Sequence, residues 1–200
     1  MTVSPDSDLA LVQSFLDGNP EAFDRLFLKY QDYVFNICLG ILGNPDDARD
    51  CAQETFVRIY RKAGEFRGRA AFSTWIYRIA VNVCVGALRK RPRTAVASLE
   101  DDHVREAPDG SAPPWHGLQQ KDDERLVRQV VTALIPDYRL VLVLRYFQGL
   151  SYEEIAQVLG WTLPQVKIKL HRARRSFAAR YAACLEGADC AADQAASRSP

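Results

Sequence analysis

SYEEIAQVLGWTLPQVKIKLHRARR, residues 151–175, predicts two short helices joined by a tight turn. Ser151 and Glu154 form an S-x-x-E capping box, and Thr162 and Gln165 repeat it eleven residues later as T-x-x-Q. Each box satisfies backbone amides that lack a partner at the start of a helix, so the sequence marks two helix beginnings. The glycine between the boxes ends the first helix, because glycine tolerates the left-handed conformation found there.

The second of these helices carries six Lys or Arg residues and no acid between Leu163 and Tyr181. Its apolar residues recur every three or four positions, which predicts one buried face. Cationic residues lie off that face, as in a helix that enters the major groove of DNA. A solvated basic face is the alternative interpretation, and the two consecutive caps favour DNA binding. The side chains concerned are Lys167, His171, Arg174 and Arg175, with Lys169 and Arg172 on the flanks.

Charge alternates in blocks along the 200 residues, although the formal net charge is only +1. Residues 1–54 hold ten acids and three bases, residues 55–93 hold ten bases and one acid, and residues 94–126 hold eight acids and three bases. The balances are therefore −7, +9 and −5. Blocks of this size indicate separate surfaces for separate partners.

Neither a membrane span nor a secretion signal is predicted, because no apolar run approaches about 20 residues and the N-terminus lacks basic and apolar regions. We therefore expect a cytoplasmic protein. The five cysteines form no C-x-x-C pair, so the sequence indicates neither a disulfide framework nor a zinc finger. Three of them occupy apolar helix positions as predicted core residues, namely Cys38, Cys51 and Cys84.

The pattern predicts an all-α fold, since alternating strand patterns and Asn-Gly hairpins are absent. We expect a helical domain at residues 1–91 and a four-helix domain containing the helix-turn-helix at residues 122–180. Residues 92–121, acidic and proline-rich, are predicted to be a flexible linker. Residues 181–200 form an Ala-rich tail. In it Cys184 and Cys190 are open to a disulfide or a metal half-site, and unpaired thiols are the interpretation we favour.

Three blocks occur in the order and spacing of one family: DDARDCAQETFVRIYRK at 46–62, GEFRGRAAFSTWIYRIAVN at 64–82 and LIPDYRLVLVLRYFQGLSYEEIAQVLGWTLPQVKIKLHRAR at 134–174. The chain resembles a bacterial sigma factor of the extracytoplasmic-function group over residues 9–91 and 122–178. The resemblance implies a protein that joins RNA polymerase core and directs it to promoters. It also implies an anti-sigma factor as a partner and no cofactor.

By this resemblance, residues 46–62 match the helix that docks on the β′ clamp of the polymerase, and the β subunit completes the expected contact. The expected docking side chains are Asp50, Gln53 and Glu54. Residues 64–91 match the region that melts the minus-ten element and captures an unstacked base, chemistry that combines stacking with hydrogen bonds to a base edge. The expected pocket residues are Phe66, Phe72 and Asn82, and the expected phosphate contacts are Arg58, Arg61, Arg67 and Arg78.

The helix-turn-helix matches the domain that reads the minus-thirty-five element as duplex DNA. Lys167, His171 and Arg174 are then the base-edge candidates. The phosphate candidates are Lys169, Arg172 and Arg175. A rotation error in the predicted helix would exchange the two sets.

The residues indicate no catalytic constellation, because the three histidines lack partners and no phosphate-binding glycine loop occurs. We therefore expect a specificity subunit and not an enzyme or a metalloprotein. The alternative function is a stand-alone dimeric helix-turn-helix regulator, which would bind palindromic duplex sites without polymerase.

Overall fold

A computed structural model describes residues 7–68, 70–90 and 121–185, with the backbone alone described for 121–124. Those residues form helices and no strand, which confirms the all-α prediction. Residues 91–120 and 186–200, which include most of the predicted linker and tail, lie outside the described residues. The first four helices are α1 (Asp8–Leu16), α2 (Pro20–Leu42), α3 (Pro45–Lys62) and α4 (Phe72–Lys90). The second four are α5 (Lys121–Thr132), α6 (Pro136–Leu142), α7 (Tyr152–Leu159) and α8 (Leu163–Leu185).

The long helices α2, α3 and α4 pack on one another, and α1 packs on α2. Side chains at the loops start these helices: Asn19 caps α2 and Asn44 caps α3, each followed by proline at the first helical position. α1 is held to α2 through Asp8, which accepts a hydrogen bond from the Tyr30 hydroxyl at 2.7 Å.

The three predicted core cysteines are confirmed as buried free thiols where α2, α3 and α4 meet. Cys184, by contrast, is disulfide-bonded, so the expectation of an unpaired thiol there is wrong. Cys190 lies outside the described residues. A local sequence pattern does not show which cysteines a folded chain brings to the Cβ–Cβ separation of about 4 Å that a disulfide needs.

The second group of helices is built around α8, whose Val166, Leu170, Ala173 and Phe177 form the predicted buried face. The sequence predicts one helix over 138–147. The structure instead begins α6 at Pro136 and widens its end into a π-helical turn, Val143–Phe147. Proline fits the first helical position because its missing N–H has no intrahelical acceptor there.

The two groups of helices pack against each other through α4 and α7, and through the end of α2 against α5, α6 and the π-helical turn. Arg139 joins them, donating one hydrogen bond to the Leu134 carbonyl at 2.7 Å and another to the Ile41 carbonyl at 3.1 Å. Two glycines come close to the second unit: a Cβ on Gly43 would lie 2.5 Å from Cγ2 of Thr132, and a Cβ on Gly40 would lie 2.8 Å from Cγ2 of Val143. The structure is therefore a closed arrangement of two helical units.

Candidate nucleic-acid interfaces and docking groove

Two capping boxes fix the helix-turn-helix as predicted. The Glu154 amide donates to Ser151 Oγ at 3.2 Å, and the Ser151 amide donates to the Glu154 carboxylate at 2.8 Å. The second box repeats the exchange, with the Thr162 amide donating to Gln165 Oε1 at 2.8 Å. Between them Gly160 adopts φ +68°, the left-handed turn that redirects the chain. These local bonds set the direction in which α8 leaves the turn.

One face of α8 points away from the rest of its domain. At 100° per residue, the residues opposite the buried Val166–Phe177 face fall on a single outward strip. Its members are exposed apart from His171, which is half-buried. They are Lys167, Ile168, His171, Arg172 and Arg175.

Two of the predicted DNA contacts on α8 are occupied inside the domain instead. Arg174 donates to the Tyr146 hydroxyl at 2.5 Å and to the Tyr152 hydroxyl at 3.2 Å, and its guanidinium lies over the Tyr146 ring. Burial opposes a charge there, but the bonds to the two tyrosines leave the pKa of Arg174 raised. Lys169 forms an ion pair with Asp137 at 2.6 Å. Both cations thus hold α8 against its neighbours, and their assignment to DNA stays a prediction that this geometry does not favour.

On α4 the predicted base pocket is not assembled. Phe72 is only 3% exposed and stacks with Trp75, 5.5 Å between ring centroids, while the half-buried Phe66 packs edge-on against Phe72 at 5.0 Å. Asn82 lies ten residues further along the helix, about 15 Å at 1.5 Å per residue. Phe72 is therefore a core residue in this structure, a correction to the expected pocket. The sequence does not distinguish the two environments, because aromatic residues beside cations form the same pattern whether they face solvent or the core.

Arg78 and Asn82, one turn apart, are both exposed on the outward face of α4. Tyr77, which the apolar spacing of α4 places off the buried stripe, is nevertheless buried, and α4 packs against α7. That burial, with a smaller effect from charges that include Glu154 of α7, raises the pKa of Tyr77 to about 12. One side of α4 therefore meets the second unit, while the Arg78–Asn82 side stays open.

The predicted phosphate contacts before α4 divide between two surfaces. Arg58 is exposed and pairs with Glu54 one turn earlier, Nε to Oε1 at 2.7 Å. Arg67 is exposed in the loop that precedes α4. Arg61 instead lines a groove between α2 and α3.

That groove has a volume of about 780 Å³ and a mainly apolar lining. Gln53 lies in its wall, whereas the other two predicted docking side chains, Asp50 and Glu54, are exposed on the same helix. The aromatic Phe27 and Tyr60 remain 39% and 54% exposed. The remaining lining residues are Phe23, Gln31, Asp32, Phe35, Arg49, Ala52, Phe56, Val57 and Arg61.

Sequence reasoning missed the apolar part of this groove, because Phe23, Phe27 and Phe56 share the helical spacing of core residues. The number of large apolar residues could have revealed the groove, because α2 and α3 carry more of them than one buried stripe of each helix can hold. An exposed apolar surface of this kind marks an interaction site.

Within the described residues, no group of three His, Cys, Asp or Glu side chains could hold a metal ion. The described helices also include none that is long and apolar enough to cross a membrane. These findings leave the two cationic faces and the groove as the candidate sites.

Comparison with known proteins identifies the class. The family Sigma-70 region 2 matches residues 26–94, and the family Sigma-70, region 4 matches residues 124–177. The chain therefore belongs to the sigma-70 family of transcription initiation factors, in its extracytoplasmic-function group.

Individual relatives agree with that placement. The chain is 35% identical to the RNA polymerase sigma-H factor of Pseudomonas aeruginosa over 180 residues, which covers 87% of this chain and 93% of the relative. It is 32% identical to the ECF RNA polymerase sigma-E factor of Haemophilus influenzae, covering 84% and 92%. Among solved structures, CnrH in complex with the cytosolic domain of CnrY is similar in fold, with TM-score 0.65, 24% identity and 92% and 100% of the two chains covered.

Proposed function

We propose that this sigma factor binds RNA polymerase core through the α2–α3 groove, reads the minus-thirty-five element as duplex with α8, and engages the melted minus-ten element along α4. The observation that carries the proposal is that one chain presents outward cationic faces on two different helices beside an apolar groove. A duplex reader, a single-strand reader and a protein-docking surface are the three parts that promoter-specific initiation needs. A stand-alone dimeric regulator would leave the α4 face and its basic loop without a task.

The domain assignment follows the same division. Residues 1–91 are proposed as region 2, residues 92–121 as the linker, residues 122–180 as region 4 and residues 181–200 as the tail. α1 belongs with region 2 because Asp8 is bonded to Tyr30 and to Lys29 of α2.

The docking proposal combines polar and apolar side chains. Gln53 lies on the wall of the groove, and Asp50 and Glu54 extend the exposed side of α3 as acidic groups. We assign the apolar lining to the contact that supplies most of the binding free energy, and the acids to orientation and partner choice. A basic, amphipathic segment of the polymerase fits such a surface.

For the minus-ten element we assign Arg78 and Asn82 on α4 to the displaced strand. An exposed asparagine amide offers both a donor and an acceptor to a base edge, and Arg78 one turn away suits a phosphate. Arg67 in the preceding loop and Arg58 on α3 extend the cationic surface. Phe66, half-buried beside the buried Phe72, is the aromatic ring best placed for stacking at the loop.

For the minus-thirty-five element we assign Lys167, His171 and Arg172 to base edges and Arg175 to phosphate. This assignment follows the outward strip of α8, because only side chains on that strip can enter a major groove without displacing the domain's own contacts. Lys169 and Arg174 are assigned instead to the stability of the helix-turn-helix.

The closed arrangement matches a free state that must open for promoter recognition. The two promoter elements are separated by about 25 base pairs, or about 85 Å at 3.4 Å per base pair. A compact chain of the described size has a radius of gyration of only about 15 Å, so its two reading helices cannot reach both elements while packed together. Residues 91–120 would span up to about 100 Å when extended. We therefore propose that polymerase binding separates region 2 from region 4.

Partners and location follow from the same role. CnrH, similar in fold, was solved with the cytosolic domain of another protein, and we propose that an inhibitory anti-sigma protein likewise binds this chain. A factor that acts on RNA polymerase functions in the cytoplasm, and we propose that location for this chain. In the proposed role, the chain acts only by binding and needs neither catalysis nor a cofactor of its own.

Co-purification with core polymerase tests the proposal. The purified chain, mixed with bacterial core RNA polymerase and passed over a sizing column, is expected to elute with the polymerase and to support promoter-specific transcripts. The Gln53→Ala/Glu54→Ala variant should bind core polymerase more weakly, so that a smaller fraction elutes with it, while keeping its helical circular dichroism. If the wild-type chain elutes alone at micromolar concentrations, the proposal is wrong.

A further inference from the structure

Ile168 stands out on the outward strip of α8 because it is apolar and its neighbours on the strip are not. Within residues 148–184, all of which the structure describes, Ile168 is the only large apolar side chain that is exposed, at 40%. It lies between Lys167 and Arg172 on the outward strip. It belongs neither to the buried core nor to the half-buried apolar side chains that pack against that core.

The fold gives no reason for this isoleucine. A β-branched residue at an exposed helix position is less favourable for helix formation than the lysine or arginine found around it. Single exposed apolar residues are common on protein surfaces. This one, however, lies six residues into the helix, among the N-terminal residues that helix-turn-helix proteins direct at base edges.

The major groove of DNA presents one apolar group, the C5-methyl of thymine. A side chain that meets bases without a donor or an acceptor can distinguish them only by that methyl group or by shape. We propose that Ile168 reads a thymine in the minus-thirty-five element by covering its methyl group, with Lys167 and Arg172 on either side contacting the neighbouring bases. This inference rests on the proposed function, since it assumes that α8 enters the major groove of that element.

The test uses holoenzyme assembled from core polymerase and the full chain. The preferred minus-thirty-five element is first selected from a randomised duplex library, and each thymine in it is then replaced singly by deoxyuridine, which removes only the methyl group. We expect one thymine whose replacement lowers holoenzyme affinity about three- to fivefold, the ratio expected for losing the burial of one methyl group.

The Ile168→Ala variant should bind the thymine probe three- to fivefold more weakly than wild type, and should bind the thymine and deoxyuridine probes equally. Leu185→Ala, which removes another exposed apolar side chain at the far end of the same helix, should retain the full discrimination. Both variants should fold, because neither side chain is buried.

Two results would overturn the inference while leaving the proposed function intact. One is a selected element without a preferred thymine at any position. The other is a discrimination between thymine and deoxyuridine that survives in Ile168→Ala. Failure of the proposed function is distinct, because then no holoenzyme would form and no element would be selected by wild type.

Discussion

Replacing Gly40 by alanine tests whether the contact between the two units controls opening, because the change should stabilise helix α2 and destabilise that contact. The new Cβ would lie 2.8 Å from Cγ2 and 3.1 Å from Cγ1 of Val143, whereas ordinary carbon contacts are 3.4–4 Å. Val143 is fully buried and β-branched, so it has little freedom to move aside. Overpacking of this kind costs about 1–3 kcal/mol.

This overpacking destabilises only the closed arrangement, because Gly40 belongs to α2 and Val143 to the second unit. Within α2 alone the same change favours the helix by about 0.5–1 kcal/mol. We therefore expect Gly40→Ala to shift the closed-to-open equilibrium about five- to 150-fold toward the open form. Core polymerase, which we propose to bind the open form, should then bind more tightly by up to the same factor.

Gly86→Ala is the matched control. Gly86 also lies inside a helix, α4, but a Cβ there would meet nothing within 4 Å. This variant should gain about 0.5–1 kcal/mol of unfolding free energy without a change in shape or in core affinity.

Small-angle X-ray scattering and a titration with labelled core polymerase measure the two expected effects. Gly40→Ala should increase the radius of gyration and lower the apparent dissociation constant, and Gly86→Ala should leave both at the wild-type values. If the two variants behave alike in both measurements, the contact of Gly40 with Val143 does not control opening.

Three further predictions concern single side chains. Arg174→Ala should lower the free energy of unfolding by about 1–3 kcal/mol in urea denaturation, because it removes the hydrogen bonds from Arg174 to two tyrosine hydroxyls. Arg175→Ala should change it by less than about 0.5 kcal/mol and should weaken promoter binding by holoenzyme. Equal stability of the two variants contradicts the assignment. Val57→Asp in the groove should weaken core binding at least tenfold, and Leu9→Asp, at a side chain of α1 that is also exposed, should not; a similar loss in both would place the docking surface elsewhere. The raised pKa of Tyr77 means that the folded state keeps a proton which the unfolded state loses above about pH 10. The contribution of Tyr77 to the free energy of unfolding is therefore fully present below about pH 10 and is lost as the pH rises toward 12. Tyr77→Phe should make the free energy of unfolding fall less steeply between these pH values. An unchanged slope would mean that Tyr77 is not buried in solution.

Local chemistry made the helix-turn-helix predictable. The caps at Ser151 and Thr162 depend on residues three positions away. The buried face of α8 follows from apolar residues spaced by three and four positions, which can be read from the sequence. The resemblance to one family was carried by such local blocks, and the family matches place the chain in it.

Long-range contacts were not predictable in this way. Whether Arg174 reads a base or bonds two tyrosines depends on Tyr146 and Tyr152, 28 and 22 residues away, and on a rotation of α8 that periodicity leaves uncertain. The approach of Gly40 to Val143 joins residues about a hundred positions apart, and no pattern within either helix encodes it. Phe27 shares the spacing of core residues, although the gap between α2 and α3 leaves it partly exposed.

Unstacking of a promoter base is measured most directly by placing 2-aminopurine in the non-template strand of the minus-ten element of a selected promoter and following its fluorescence, which rises when the base unstacks. We expect a rise only when this chain and core polymerase are both present, and none with either alone. If the chain by itself binds a symmetric duplex tightly as a dimer and produces no fluorescence change with core polymerase, the proposed role in promoter opening is wrong.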